Sequence, residues 1–393
     1  MHCLLSLLFV LLFCACGSAQ AAPYTPQSDA EILERLPFKA SDAEGRELRQ
    51  MRRALAEQPQ DLKRALALAQ RYFDLASAEG DPRYVGYAEA AIRPWSQAAE
   101  PPVEILFMHA LLRQYRHEFD AALADLARAA ERDPGNARIW SWRSAILLVQ
   151  ADYAGARAAC AKLAPLASAL LAMSCNAIIA ARTGKAEQAY TELSAALARR
   201  PDADSGLKLW IETRLAEAAV QLGRSELAER HFKAGFALGI TDGYLIAAYA
   251  DFLLDQGRPL EAVALFKDWE RSDILLLRLA LAEQAAGLPS AAAHKAMLTA
   301  RFDASALRGD KLHQQDEARF HLAMLGDAKG ALRLAVENYR VQREPGDARM
   351  LMEAALAAKD YAAAQPALDW MRTSGYEDPI YAKLARQLRA GAK

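Results

Sequence analysis

Between Glu118 and Asn136 the chain runs EFDAALADLARAAERDPGN. Ala122, Leu126 and Ala129 share one face at i, i+4, i+7, and Asp125, Arg128, Glu131 and Arg132 take the other. This spacing predicts one amphipathic helix. Asp133-Pro134-Gly135-Asn136 ends it, because Pro134 cannot continue a helix and Asn136 can cap the next one. A lone helix of this kind cannot bury its apolar face, so it needs neighbours of the same sort.

The pattern recurs along the chain. With Ala122 as anchor, equivalent small residues stand at Ala88, Ala156, Ala189, Ala228, Ala262, Ala292, Ala331 and Ala364. The steps are 34, 34, 33, 39, 34, 30, 39 and 33 residues. Each repeat has a polar or glycine turn before its anchor, as at Asp152-Tyr153, Gly184-Lys185 and Gly257-Arg258. Four residues later a larger apolar group usually follows: Ile92, Leu126, Cys160, Leu193, Phe232, Phe266 and Leu368, with only Ala296 and Ala335 in two repeats. Twelve residues before the anchor a small residue recurs: Ala76, Ala110, Ser144, Ala177, Ala216, Ala250 and Ala280. Small residues there let two antiparallel helices approach closely. The two 39-residue steps call for longer helices or loops near 198–210 and 300–313. A period near 34 marks a helix-turn-helix solenoid. No sustained period-2 stretch or hairpin signal appears, so no sheet is expected.

Trp140…Ser144…Tyr153…Ala156 and Ala122…Leu126…Ala129…Pro134 carry a resemblance to the tetratricopeptide repeat family, over roughly residues 60–380. Arg143 departs from it, standing where the family usually has an apolar residue. It can pair with a carboxylate between repeats or stack on a ring. The resemblance implies an all-α, right-handed superhelical solenoid of about nine TPR-like repeats with N- and C-terminal capping helices. It also implies that the first helix of each pair lines a concave groove. Groove residues would then include Phe107, Leu111, Gln114, Thr213, Glu217, Asp251, Phe320, Arg349 and Glu353. The list holds no Lys or Asn, so the carboxylate clamp of some family members is not expected.

The ends divide the chain into 1–21, 22–59, 60–378 and 379–393. Residues 4–13 are an apolar run too short to span a bilayer, and Ala19-Gln20-Ala21 follows. This suits a secretory signal cleaved after Ala21, although no Lys or Arg precedes the run. Phe13-Cys14-Ala15-Cys16 offers a competing lipobox, with Cys16 acylated and the chain anchored to a membrane. Ser28-x-x-Glu31 and Ser41-x-x-Glu44 resemble capping boxes for two N-terminal capping helices within 22–59. Residues 379–393 form a C-terminal capping helix.

Without residues 1–21, two cysteines remain, Cys160 and Cys175, on neighbouring helices. Counted from a turn at Ala164-Pro165, they are offset by on the order of 9 Å along the axis, more than a disulfide spans. A longer turn or a tilt closes that gap. A disulfide and two buried thiols both stay open.

Composition adds little chemistry. Net charge is −1, from 48 basic and 49 acidic residues, which offers no electrostatic footprint for nucleic acid. No nucleophile elbow, P-loop or dinucleotide fingerprint occurs. His313 and His321, with Asp316 and Glu317 between them, lack metal-ligand spacing and suit a solvated face. The chain is therefore expected to be non-catalytic, with no cofactor. The leading expectation is a periplasmic or secreted scaffold of the bacterial cell envelope that holds a protein or peptide in its groove. The alternatives are a lipid-anchored assembly factor of an outer-membrane machine and a small-ligand or metal-handling envelope protein.

Overall fold

The computed structural model describes residues 43–266, 269–307, 309 and 311–392. The cleavage site after Ala21, Cys16, the first capping box and Ser41 of the second lie outside them. The chain divides into two compact units, residues 1–53 and 54–393. The described residues are all-α, with no strand among them.

Helix α1 (Ala43–Glu57) spans the boundary between the units and is amphipathic, with Glu44 in its first turn. The second unit continues in helix pairs. They are α2 (Leu62–Glu79) with α3 (Arg83–Ser96), α4 (Val103–Tyr115) with α5 (Phe119–Arg132), and α6 (Ala137–Val149) with α7 (Tyr153–Leu163). Next come α8 (Ala169–Arg182) with α9 (Ala186–Ala198), α10 (Ser205–Gln221) with α11 (Ser225–Ala237), and α12 (Gly243–Asp255) with the short α13 (Pro259–Ala264). The last are α14 (Asp273–Ala286) with α15 (Ser290–Leu307), α16 (Gln314–Phe320) with α17 (Ala328–Val341), and α18 (Pro345–Ala358) with α19 (Gln365–Ser374). Helix α20 (Pro379–Gly391) follows. Within each pair the two helices pack together, and the first helices of successive pairs pack on one another. The 39-residue steps are taken up by the 17-residue α10 and the 18-residue α15 with their loops.

Every anchor alanine is buried except Ala292, which is exposed. In that pair α15 is turned differently. Leu298 and Phe302 form its buried face and His294 is half-buried, bonded to Glu283 at 2.6 Å. Five residues before each anchor from Ala122 onward, the backbone is left-handed. Glycine fills five of these positions, at 184, 223, 257, 287 and 326, but His117 (φ 62°), Ala151 (φ 59°) and Lys359 (φ 56°) fill the others. The inter-helix turn imposes this conformation whatever the side chain, at a cost of about 1 kcal/mol without glycine.

Cys160 and Cys175 form a disulfide, with Cα atoms 5.9 Å apart. Helix α7 ends at Leu163 and α8 begins at Ala169, so the turn is longer than Ala164-Pro165. Measured from these ends the axial offset falls to about 4.5 Å, within reach of a disulfide. Among the described residues, Arg143 neither pairs with a carboxylate nor stacks on a ring. Its Nη1 donates to the carbonyl of Leu123 at 3.4 Å.

The second unit coils back on itself. Helix α2 packs on α12, and a Cβ on Gly243 would lie 3.1 Å from the carbonyl oxygen of Ala78. Arg343 N donates to Val149 O at 2.8 Å, and Trp370 Nε1 donates to Tyr153 Oη at 2.8 Å. At Gly184 an added Cβ would lie 2.9 Å from the carbonyl oxygen of Gly375. These contacts join repeats far apart in sequence and narrow the inside of the coil.

Candidate functional site

Inside the coil lies a cavity of about 480 Å³, in the size range of small-molecule sites. Its wall mixes apolar surface with charged side chains drawn from several helices. Glu217 comes from α10, Asp251 and Asp255 from α12, Arg278 from α14, Asp316 from α16 and Arg349 from α18. Arg182, Tyr244, Glu344, Tyr376 and Asp378 complete the polar lining used below.

The charges are organised into three groups. Glu217 accepts from Arg214 at 3.0 Å, lies 3.9 Å from Arg182, and accepts a hydrogen bond from the Tyr244 hydroxyl. The Arg214 guanidinium stacks 4.5 Å over the Tyr244 ring. Asp251 bridges Arg278 at 3.0 Å and Arg319 at 2.6 Å, and Arg278 also reaches Asp316 at 2.9 Å. Arg349 joins Asp255 at 2.6 Å to Glu353 at 2.7 Å. Two carboxylates stand outside these groups. Glu344 forms a capping box with Asp347 at the start of α18, and Asp378 caps α20 by accepting from Ile380 N at 2.8 Å. The two leave the site with a small acidic excess.

Burial shapes the titration of these groups. It opposes ionisation of Asp251, but Arg278 and Arg319 outweigh it and hold the carboxyl below its usual range. It likewise opposes the charge on Arg278, yet Asp251 and Asp316 raise that guanidinium's pKa. With backbone partners alone, Asp378 is pushed up to about 6 by burial. Burial also pushes the hydroxyls of Tyr244 and Tyr376 up. Tyr244 is 52% exposed and lines the cavity, so its ring meets the water of that space.

Of the groove residues expected from the repeat, the cavity gathers Glu217, Asp251 and Arg349, and Glu353 lies beside it through its bond to Arg349. The others lie elsewhere. Phe107 and Leu111 are buried, with Arg138 stacked 4.5 Å over the Phe107 ring. Gln114 is half-buried. Thr213 is buried and bonds the carbonyl of Leu209 at 2.8 Å within its own helix. Phe320 is buried against Phe302, with ring centroids 5.2 Å apart. Asp316 is not on a solvated face, since its side chain is only 13% exposed beside Arg278. One missed residue carried a signal, because Arg278 interrupts the apolar run ILLLRLALA. Tyr376 and Asp378 carried none, because only the return of the chain's end brings them to the cavity.

Each lining carboxylate is engaged by an arginine or by backbone N–H groups at a helix start. This arrangement suits binding and holds none of them as a free general base. Among the described residues no three His, Cys, Asp or Glu side chains converge as metal ligands. Among the same residues, no helix is long and apolar enough to cross a membrane.

No family model matches the chain, and no curated protein does. Among solved structures, the chain is similar to yeast Tom70, with 11% identity and TM-score 0.41 over 89% of this chain and 85% of that one. It is similar to a chain of the APC/C hetero-tetramer Cut9–Hcn1, with 16% identity and TM-score 0.36 over 75% of this chain. It spans 63% of that chain, less than two thirds of its length. The TPR domain of P58(IPK) is similar at 13% identity and TM-score 0.22, over 81% of this chain and 94% of that one.

Proposed function

We propose that the chain is a non-catalytic interaction scaffold of the bacterial cell envelope that receives a basic element of a protein partner in its central cavity. The observation that carries this reading is the gathering of Glu217, Asp251 and Arg349, from three separate repeats, around one water-reached space of about 480 Å³. Ion pairs hold the lining in place, so little ordering is needed on binding. Glu344 and Asp378, which have no arginine ion pair among the described residues, favour a cationic group such as a lysine or arginine side chain or a chain N-terminus. The space accommodates a short element, not a long extended segment.

The setting outside the cytoplasm is part of the proposal. The apolar run at 4–13 and the Cys160–Cys175 disulfide support an oxidising compartment. We place cleavage after Ala21, giving a mature chain that begins at Ala22. Intact mass of the exported protein checks this, and an acylated Cys16 start would replace the soluble form with a membrane-anchored assembly factor.

Tyr244→Lys tests the cavity. It puts an ammonium beside Glu217 and so supplies an internal competitor for a cationic guest. Crosslinked capture from the envelope fraction should recover a partner with the wild type and lose it with Tyr244→Lys, circular dichroism showing both folded. A partner retained by both moves the site to the outer faces and overturns the cavity reading. A second reading, a small organic cation as ligand, is favoured by the volume of the space, about 480 Å³. A Tm rise with a small cation, abolished by Tyr244→Lys, would establish it in place of the protein partner.

A further inference from the structure

A second pocket, which shares no lining residue with the central cavity, combines apolar walls with unpaired positive charge. Its volume is about 560 Å³. Val336, Leu351, Pro366 and Trp370 line it from the last pairs, and Ala151 lines it from the turn between α6 and α7. A neighbouring depression shares Val336, Arg340 and Ala363 with it, so the two run together as one groove.

Arg340 and Arg343 both line this pocket and both are exposed. Neither side chain has an ion-pair or hydrogen-bond partner among the described residues. The carboxylate in the lining, Asp369, is taken by Arg372 at 3.1 Å. Arg343 is also fixed in place, because its backbone N–H is bonded to Val149 O at 2.8 Å across the seam of the coil. In the pocket wall Tyr339 is only 5% exposed, and its hydroxyl finds no partner. An apolar slot with two free guanidiniums at its edge is complementary to a molecule with an apolar body and one anionic end. Arginine forks hold carboxylates by charge-assisted bonds stronger than those between neutral groups.

We propose that this pocket binds a small amphipathic carboxylate, with its apolar chain against Val336, Leu351 and Trp370 and its carboxylate between Arg340 and Arg343. The site is separate from the central cavity. Its preference for an anion is opposite to the cavity's preference for a cation.

Calorimetric titration with decanoate, kept below its micelle-forming concentration, tests the proposal. Decanol and decylamine serve as controls of equal chain length. The expected result is saturable one-to-one binding of decanoate, at least tenfold tighter than decanol, with no binding of decylamine. Arg340→Gln/Arg343→Gln should weaken decanoate at least tenfold and leave decanol unchanged. Arg386→Gln/Arg389→Gln makes the same charge change on exposed arginines outside the pocket and should have no effect. Absence of saturable decanoate binding overturns the proposal. So does equal binding of decylamine, or equal loss in the two double variants. Decanoate failing where an acidic peptide binds through Arg340 and Arg343 would make the groove a protein-docking surface and also overturn it.

Discussion

Replacing Asp251 with alanine should loosen the coil far more than replacing a surface carboxylate. Asp251 accepts from Arg278 at 3.0 Å and from Arg319 at 2.6 Å, and the second bond ties α12 to α16 across 68 residues of sequence. The Asp251 side chain keeps 30% of its surface exposed, Arg278 11% and Arg319 27%. In the variant Arg278 keeps Asp316, whereas Arg319 keeps no ion-pair partner among the described residues. Removing one partner of a buried pair costs about 3–5 kcal/mol. Water still reaches part of this pair, and screening lowers the expectation to about 2–3 kcal/mol. The folded pKa of Asp251 lies below its unfolded value. Its contribution is therefore fully present above an unfolded pKa of about 3.9 and fades as pH falls through the lower folded value. Urea unfolding followed by circular dichroism reads the total change. Amide exchange in α12 and α16 reads it locally, which matters in a repeat array that need not unfold in one step. Asp202→Ala is the comparison, since Asp202 is 70% exposed and pairs with an exposed arginine. It should leave the midpoint where it was. The double variant Asp251→Ala/Arg319→Ala should lose less than the sum of the two single changes. Equal midpoints for Asp251→Ala and Asp202→Ala would refute the claim that this ion-pair group holds the coil's inner wall.

Further predictions concern backbone, disulfide and pH. Reducing Cys160–Cys175, which closes 15 residues, should cost about 3 kcal/mol by the loop-entropy model; equal urea midpoints with and without reductant would contradict this. Gly184→Ala should destabilise by more than about 1 kcal/mol, because φ is +73° and the new Cβ would lie 2.9 Å from Gly375 O. Gly257→Ala, at φ +69° with open space around it, should show the backbone cost alone. Ala151→Gly should stabilise by about 0.5–1 kcal/mol by relieving a left-handed alanine, and a lowered Tm would count against that account. Burial pushes Asp347 up to about 7, above its unfolded value near 3.8. The folded state then holds the proton longer, so this group's contribution is full below about pH 4 and is lost as pH rises towards 7. Asp347→Asn should flatten the stability–pH curve in that window, and an unchanged slope would show that the carboxyl titrates normally.

Much of the architecture could be read from local pattern. The near-34-residue step, the buried anchors and the turn before each anchor are properties of one helix pair, set by 3.6-residue periodicity and turn chemistry. They needed no knowledge of distant residues. The reading slipped at Ala292, where His294 and the larger Leu298 and Phe302 turn α15 to a different face. The turns at Ala151, His117 and Lys359 were legible from their polar residues, but their left-handed backbone is announced by no glycine.

The site was legible only in part, for a different reason. That Glu217, Asp251 and Arg349 face inward follows from helical register. That they share one space with Tyr376 and Asp378, beside an ion pair from Arg319 to Asp251, depends on how tightly the second unit coils. Coiling adds up small rotations from every repeat, and it is fixed by contacts such as Gly184 against Gly375 and Trp370 against Tyr153. Those contacts join residues that no local pattern relates. By itself, then, the sequence determined the repeat, its buried faces and the polar character of its inner helices. The tertiary structure alone decided that the expected open groove closes into a cavity, because closure is a sum over the whole array.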